Sequence, residues 1–366
     1  MDYESLARRG CQGSKAPSAR IVLTNGTLPA GSLAVLPRSH RLVSDVSSAL
    51  TLGGGLPKRV VVLGGTGLLG AEAASQFRDA GSQVTIVARH LLAPGHAVEG
   101  CDGMEGDAAN AELLTEVVQQ ADHIVYAVGS SSPAESNLDP PADVARSLPP
   151  FVQLLESLRR KPETRLTFYS SGGAVYGEPT ATPVSEDAVC HPITSYGVTK
   201  LCAEMYIDMY RRLYGIQASV LRVSNAYGSR QRAERGQGAI GAFLNAIRAG
   251  EVIRIFGDGS VVRDYLHVRD IANATVALSR VVAAPSVVNV GNGVGHSLRE
   301  VLSIVCSLTG TDPVVQFGTA RQFDVHSIVL DVSLLGSVIE WNPTPLEQGI
   351  ALVWQQHESR SGATGR

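Results

Sequence analysis

From residue 58 onward the chain alternates two textures. Short runs of Val, Ile and Leu bounded by glycine (60–63, 84–87, 124–128, 166–169 and 218–223) are separated by stretches in which apolar residues recur every three or four positions. A strand whose every position is apolar has no solvent face, which is how parallel strands between two helix layers read. The pattern predicts an α/β fold with a doubly wound parallel sheet over 58–225, to which 263–295 contributes. Beyond residue 226 the runs become irregular and rich in loops. Segments 226–262 and 296–358 are therefore expected to build a smaller α/β domain that covers a ligand. Residues 1–57 show no sustained period, are dominated by Ser, Gly, Pro and Ala, and end in Gly53-Gly54-Gly55-Leu56-Pro57. They read as a disordered N-terminal extension.

Composition narrows the classes. The 366 residues are 44% hydrophobic and 18% charged, and 31 basic against 34 acidic side chains leave a formal charge of −3. That balance gives no general pull toward nucleic acid or anionic lipid. Cys11, Cys101, Cys190, Cys202 and Cys306 are scattered without a C-x-x-C pair, so neither a disulfide framework nor a metal site is expected. With no apolar window of ~18 residues, the expectation is a cytoplasmic protein without a membrane segment.

Two motifs carry chemistry. The run 60–63 leads into Gly64-Gly65-Thr66-Gly67-Leu68-Leu69-Gly70, and a helical pattern over 71–80 follows. Glycines at spacing three permit a tight strand-to-helix turn and a close approach of backbone to a pyrophosphate, which then meets the free N–H groups of the helix N-terminus. Gly64, Gly67, Leu68, Leu69 and Gly70 are thus candidate dinucleotide-binding residues of a Rossmann fold. The second motif is Tyr196-Gly197-Val198-Thr199-Lys200, which opens a helical run over 201–214. Spacing of four puts Tyr196 and Lys200 on one helix face. With ten tyrosines and only four lysines in the chain, such a pair is not expected by chance. A phenol ordinarily holds its proton up to pH ~10, so a tyrosine base working near neutrality needs positive charge close by.

These motifs resemble the extended short-chain dehydrogenase/reductase superfamily, and within it the NAD-dependent epimerase/dehydratase family, over residues 58 to about 355. The resemblance implies that Tyr196 is the general base and acid on a sugar hydroxyl, and that Lys200 holds the nicotinamide ribose and lowers the phenol pKa. The family ends its second strand in an acid that binds the adenine ribose. Ala88 stands there instead, and Arg89 beside it would neutralise a 2′-phosphate, which tilts the choice between NAD and NADP slightly toward NADP. Glu105-Gly106-Asp107 matches E-G-D, with Asp107 on the adenine, and Ala127 lies where the fourth strand passes the cofactor. In Ser170-Ser171-Gly172-Gly173-Ala174-Val175-Tyr176-Gly177 the family's hydroxyl position is Gly172, so the adjacent Ser171 is the expected participant. Gly173 and Ala174 lack the carboxylates of dehydratases and decarboxylases, leaving epimerisation or keto reduction.

The same resemblance places Asn225 and Arg263 on the diphosphate of a nucleotide-diphosphate sugar, Arg321 as a second diphosphate arginine, and Asp324 on the ribose. His267, in Arg263-Asp264-Tyr265-Leu266-His267, is expected to be structural. A nucleotide-sugar 4-epimerase working by transient hydride transfer through a 4-keto intermediate is the reading implied. An NADPH-dependent reductase of a nucleotide-linked 4-keto-6-deoxysugar is the alternative, and a non-catalytic sugar-nucleotide or redox-sensing binder, motivated by Gly172, is a third. Family members dimerise through two helices, here about 143–160 and 199–214, so a homodimer is expected.

Overall fold

The apolar runs become strands with both faces covered. In the computed structural model, which describes residues 54–91, 96–129, 132–231, 238–321 and 324–363, the strands are β1 (Arg59–Leu63), β2 (Gln83–Ala88), β3 (Asp102–Glu105), β4 (His123–Tyr126), β5 (Arg165–Ser171), β6 (Ala218–Val223), β7 (Asn225–Tyr227), β8 (Ile253–Phe256), β9 (Val262–His267), β10 (Val287–Val290), β11 (Gly295–Ser297), β12 (Val315–Gly318) and β13 (Ser327–Ile328). The helices are α1 (Leu68–Asp79), α2 (Ala111–Gln120), α3 (Pro133–Leu138), α4 (Pro140–Arg159), α5 (Gly172–Val175), α6 (Ser195–Tyr214), α7 (Ala239–Ala249), α8 (Val268–Ser279), α9 (Leu298–Thr309), α10 (Ser333–Val338) and α11 (Leu346–Ala363). Of the expected extension, residues 1–53 lie outside the described residues.

Seven parallel strands form one sheet in the order β10-β6-β5-β4-β1-β2-β3. Side chains alternate across it. Val60 and Val62 pack with Phe77 of α1 and Ile271 of α8, while Val61 and Leu63 pack with Leu114 of α2, Phe151 of α4 and Ile207 of α6. Both layers are dry, which is why the strands carry no polar period. Phe77 and Phe151 are almost fully buried, and truncating either to Ala is worth about 3–5 kcal/mol. The run 124–128 yields a strand only to Tyr126. Ala127 still donates its N–H to the Leu63 carbonyl (2.8 Å), and the chain then leaves the sheet at the glycine turn.

Residues after 226 add a third apolar cluster, in which Phe243 and Leu244 of α7, Ile253 and Ile255 of β8, Val301 and Val305 of α9 and Ile350 and Val353 of α11 meet. A small sheet built on β9, flanked by β11, β13 and β7, joins this cluster to the large sheet. Among the described residues no helix is long and apolar enough to cross a membrane.

Candidate active site

The turn after β1 is shaped by what cannot fit. Gly64 has φ +81°, and a Cβ there would lie 2.7 Å from the Ala127 carbonyl oxygen; one on Gly70 would lie 2.3 Å from the carbonyl oxygen of Gly64. Gly67 is the N-cap of α1 and brings no side chain to cap it. The start of α1 therefore offers its amides to an anion rather than to a neighbouring residue. A cradle closed to any methyl group, at the N-terminus of a twelve-residue helix, fits a dinucleotide pyrophosphate. At the sheet edge beyond it, Arg89 is exposed just past β2 and Asp107 just past β3, where Asp107 Oδ1 accepts the Ala109 N–H (3.0 Å).

Tyr196 and Lys200 share a cavity with Tyr126, Val128, Gly129, Arg146, Phe168 and Thr199. Val128 links the two motifs, because the Gly64 turn packs directly on the Ala127–Val128 peptide. The Ser171 side chain stands by the Tyr196 phenol and acts to lower its pKa. Gly172, by contrast, has no room for a hydroxyl: a Cβ on it would meet Leu330 Cδ1 at 2.6 Å and the Arg222 carbonyl at 3.2 Å. Packing against Leu330 moves the hydroxyl one residue upstream, to the end of β5. Lys200 Nζ donates to the Tyr169 carbonyl (2.8 Å) and stands 4.8 Å from the Phe168 ring centroid and 5.8 Å from that of Tyr196.

Burial pulls the Lys200 ammonium down to about 8, against the charges of Glu204 and Asp143. Burial also pushes the Tyr196 phenol above its ordinary value; the Ser171 hydrogen bond opposes this and Asp143 adds to it. The lowered phenol pKa expected from Lys200 is thus not delivered by the protein's own groups, because desolvation of the phenolate and the Asp143 charge together outweigh Ser171.

The helix carrying the pair is pinned at its start. Thr194 caps the Gly197 N–H (3.1 Å), Ser136 Oγ accepts the Tyr196 N–H (3.0 Å), and Asn137 Oδ1 accepts that of Ser195 (2.9 Å). A Cβ on Gly197 would lie 2.7 Å from the Ala174 carbonyl, so this glycine lets α6 close on α5. One turn beyond Lys200, the buried Glu204 pairs with Arg222 of β6 (2.7 Å) and accepts the Ser170 hydroxyl. Arg222 also donates to the Tyr176 hydroxyl (3.0 Å), which donates to Asn289 Oδ1 (2.7 Å).

On the opposite side, Asn225 Oδ1 lies 3.2 Å from where a Gly173 Cβ would be, next to Ser171. Arg263, half-buried at the start of β9, has its pKa lowered by burial while Asp324 and Glu178 act against that. Arg321 lays its guanidinium 3.7 Å above the Phe256 ring centroid, and the Asp324 N–H donates to the Arg321 carbonyl (3.2 Å). Asp324 thus lies near Arg263 and is bonded to the Arg321 backbone. His267 is the N-cap of α8, its Nδ1 accepting the Arg269 N–H (3.3 Å). Among the described residues no group of three His, Cys, Asp or Glu side chains is arranged to hold a metal.

Sequence reasoning missed Asp143, Glu204, Arg222, Glu178 and Phe256. Glu204 had a signal, since it follows Lys200 by one helical turn. The others depend on contacts between distant segments.

The profile of the NAD dependent epimerase/dehydratase family matches residues 60–291. A UDP-glucose 4-epimerase of Mycolicibacterium smegmatis is 30% identical over 315 residues, 80% of this chain and 96% of that protein. Among solved structures, the chain is similar to the UDP-glucose 4-epimerase of Thermus thermophilus in complex with NAD, with 29% identity and a TM-score of 0.76 over 82% of this chain and 99% of that one. It is also similar to the UDP-glucose 4-epimerase of Thermotoga maritima with UDP-glucose, with 28% identity and a TM-score of 0.75 over 82% and 99%.

Proposed function

The chain belongs to the NAD dependent epimerase/dehydratase family, and from that premise we propose that it is a nucleotide-sugar 4-epimerase whose substrate is a UDP-hexose. The observation that carries this reading is Tyr196 and Lys200 lining one cavity, with Ser171 acting on the Tyr196 phenol. Gly64, Gly67, Leu68, Leu69 and Gly70 would hold the dinucleotide pyrophosphate, Asp107 the adenine, and Ala127 and Lys200 the nicotinamide end. When bound, that cofactor accepts and returns the sugar C4 hydride and, oxidised, brings a positive charge. Tyr196 removes the C4 hydroxyl proton and later gives it back. Ser171 steadies the phenolate by donating to it, and Lys200 holds a ribose. Asn225, Arg263 and Arg321 grip the diphosphate, a guanidinium being matched to two phosphate oxygens at once, and Asp324 takes the ribose. The tethered 4-keto sugar is then free to turn over between two hydride transfers with no net redox.

Arg89 beside Ala88 supports NADP(H) over NAD, and a fluorescence titration with both cofactors tests this; tighter NAD binding would remove the preference. The stoichiometric reductase and the non-catalytic binder are not favoured, since the named relatives are epimerases and Ser171 supplies the hydroxyl missing at Gly172. Exposed Val144, Val198, Met205 and Leu213 on α4 and α6 support a homodimer through these helices, which sedimentation equilibrium would resolve. The half-buried thiols of Cys101, Cys190, Cys202 and Cys306 are unpaired among the described residues and fit a reducing, cytoplasmic setting.

Incubation with UDP-, dTDP- and GDP-sugars, followed by NMR of the C4 configuration, is the decisive assay. Interconversion without added reductant is expected. Tyr196→Phe should slow it by about 10²–10⁴-fold, the usual worth of a positioned acid-base group. Stoichiometric NADPH consumption would instead establish a reductase.

A further inference from the structure

A buried ion pair joins the elements on which the candidate catalytic groups stand. Glu204 lies one turn beyond Lys200 on α6, and Arg222 lies on β6, three residues before Asn225; their side chains are 5% and 8% exposed. Arg222 meets the carboxylate with two nitrogens, Nη2 (2.7 Å) and Nε (3.1 Å) both donating to Oε2, while Ser170, which precedes Ser171 on β5, donates its hydroxyl to Oε1. The remaining nitrogen, Nη1, donates to the Tyr176 hydroxyl (3.0 Å) and the Glu186 carbonyl (3.1 Å). Tyr176 donates in turn to Asn289 Oδ1 (2.7 Å), and Asn289 Nδ2 donates to the carbonyls of Val184 (2.9 Å) and Asp331 (3.1 Å). We propose that Glu204 and Arg222 are positioning residues for Tyr196 and Lys200: their ion pair fixes α6 against the ends of β5 and β6, beside Ser171 and Asn225. This rests on reading Tyr196 and Lys200 as the reactive pair.

Burying two charges needs a reason. An ion pair taken out of water commonly gains no stability over two well-packed apolar side chains of similar volume. What it supplies is direction, because a guanidinium fork on a carboxylate has a narrow range of good geometries. The rest of the layer between α6 and the large sheet is apolar, with Ala203 and Ile207 packed among Phe168 and Val220, and contacts of that kind tolerate a slip of the helix. Polar ties cross the layer at Lys200, whose Nζ donates to the Tyr169 carbonyl (2.8 Å), and at Glu204. In the proposed reaction the Lys200 ammonium is needed by the ligand, which leaves Glu204 to hold the helix. Arg222 also backs the turn after Ser171, since its carbonyl lies 3.2 Å from where a Gly172 Cβ would be.

The test is a variant carrying Glu204→Met, Arg222→Met and Ser170→Ala, which replaces the ion pair by apolar side chains and leaves no serine hydroxyl unpaired. Its midpoint of urea unfolding should stay near that of the wild type. In the NMR interconversion assay kcat should fall about 10–100-fold, the scale of a misplacement of up to about 1 Å, with a much smaller change in KM because Arg263 and Arg321 lie on other segments. Dinucleotide affinity, read by fluorescence with no sugar present, should fall about tenfold as Lys200 is displaced, the lower range for one hydrogen bond to a charged group. Glu204→Gln, which keeps an acceptor oxygen and removes the charge, serves if the triple variant does not fold, and should show the same losses at smaller size. A folded variant with wild-type kcat and wild-type dinucleotide affinity overturns the proposal. So does a urea midpoint that falls in step with kcat, the pair then serving stability alone. Weakened dinucleotide binding at an unmoved urea midpoint, in a chain that interconverts no nucleotide sugar, supports the ion pair and overturns the proposed reaction instead.

Discussion

The glycine turn and the arginine-bearing segments are two candidate binding regions built on opposite principles. The turn has no side chains to contribute: Gly64 sits at φ +81°, and Gly70 is closed by the Gly64 carbonyl. The arginine-bearing segments contribute side chains, with Arg263 half-buried at the start of β9 and Arg321 stacked on Phe256. Steric exclusion is nearly all-or-none and indifferent to salt. Charge recognition is graded and is screened over ~10 Å at 0.1 M ionic strength. On the proposed function, one ligand class, a diphosphate, would be met by backbone in one region and by cations in the other.

The largest effect should come from a single methyl group in the turn. Gly70→Ala places a Cβ 2.3 Å from the Gly64 carbonyl oxygen, and only backbone could move to relieve it. Overpacking of this kind costs about 1–3 kcal/mol. Dinucleotide affinity should fall about 100-fold, roughly 2.7 kcal/mol, and raising salt should leave the ratio to wild type unchanged. A fluorescence titration at two ionic strengths reads both. An affinity loss that grows or shrinks with salt would mean that charge, not space, governs this end.

How much of each region was legible follows from the same contrast. The turn could be read because glycine spacing, a preceding apolar run and a following helix are all local, and the Tyr196-Lys200 spacing is local too. Gly172 could not be explained from the sequence, because Leu330, which excludes a side chain there, arrives on a segment far along the chain. Ser171 was within reach only as the neighbouring hydroxyl. Asp143 looked like one more position on a helix; its hydrogen bonds with Ser195 and Thr199 depend on α4 packing against α6. The lowered phenol pKa that the resemblance implies is not reached by this chain's groups alone, because sequence counts charges but not desolvation: burial raises the phenol, and the nearby Asp143 charge adds to it. The expected helix over 143–160 became α4, which begins earlier and runs through Pro149 and Pro150.

Removing Arg263 sharpens the comparison from the other end. A hydrogen bond to a charged partner is worth about 1.5–3 kcal/mol, so Arg263→Ala should raise KM for the nucleotide sugar about 30-fold. It should leave kcat and dinucleotide affinity nearly unchanged. Wild-type KM should itself rise with salt, and the variant's should rise less. Steady-state kinetics across an ionic-strength series checks this, and equal salt slopes for the two proteins would take Arg263 off the diphosphate.

The smallest effect concerns the sheet beneath the glycine turn. His123 opens β4, the strand whose far end meets the glycine turn, and it is buried with Nε2 on Thr167 Oγ1 (2.9 Å) and Nδ1 without a partner among the described residues. Burial, helped by the Arg165 charge, lowers its pKa to about 3. An unfolded histidine titrates near ~6.5, so between these values the unfolded chain binds the extra proton. Stability is therefore complete above pH ~6.5 and falls as pH drops toward 3, by up to about 1.4 kcal/mol for each pH unit. Urea unfolding at pH 7.5 and 5.5 should show a loss of about 1 kcal/mol. Buried His267 contributes in the same direction, so His123→Gln should remove only part of the slope. Asp122, held low by Arg59, titrates below this window, while Asp264 and Glu186, pushed up by burial, act in the opposite sense. If the variant keeps the full slope, His123 is not the group that limits the sheet in acid.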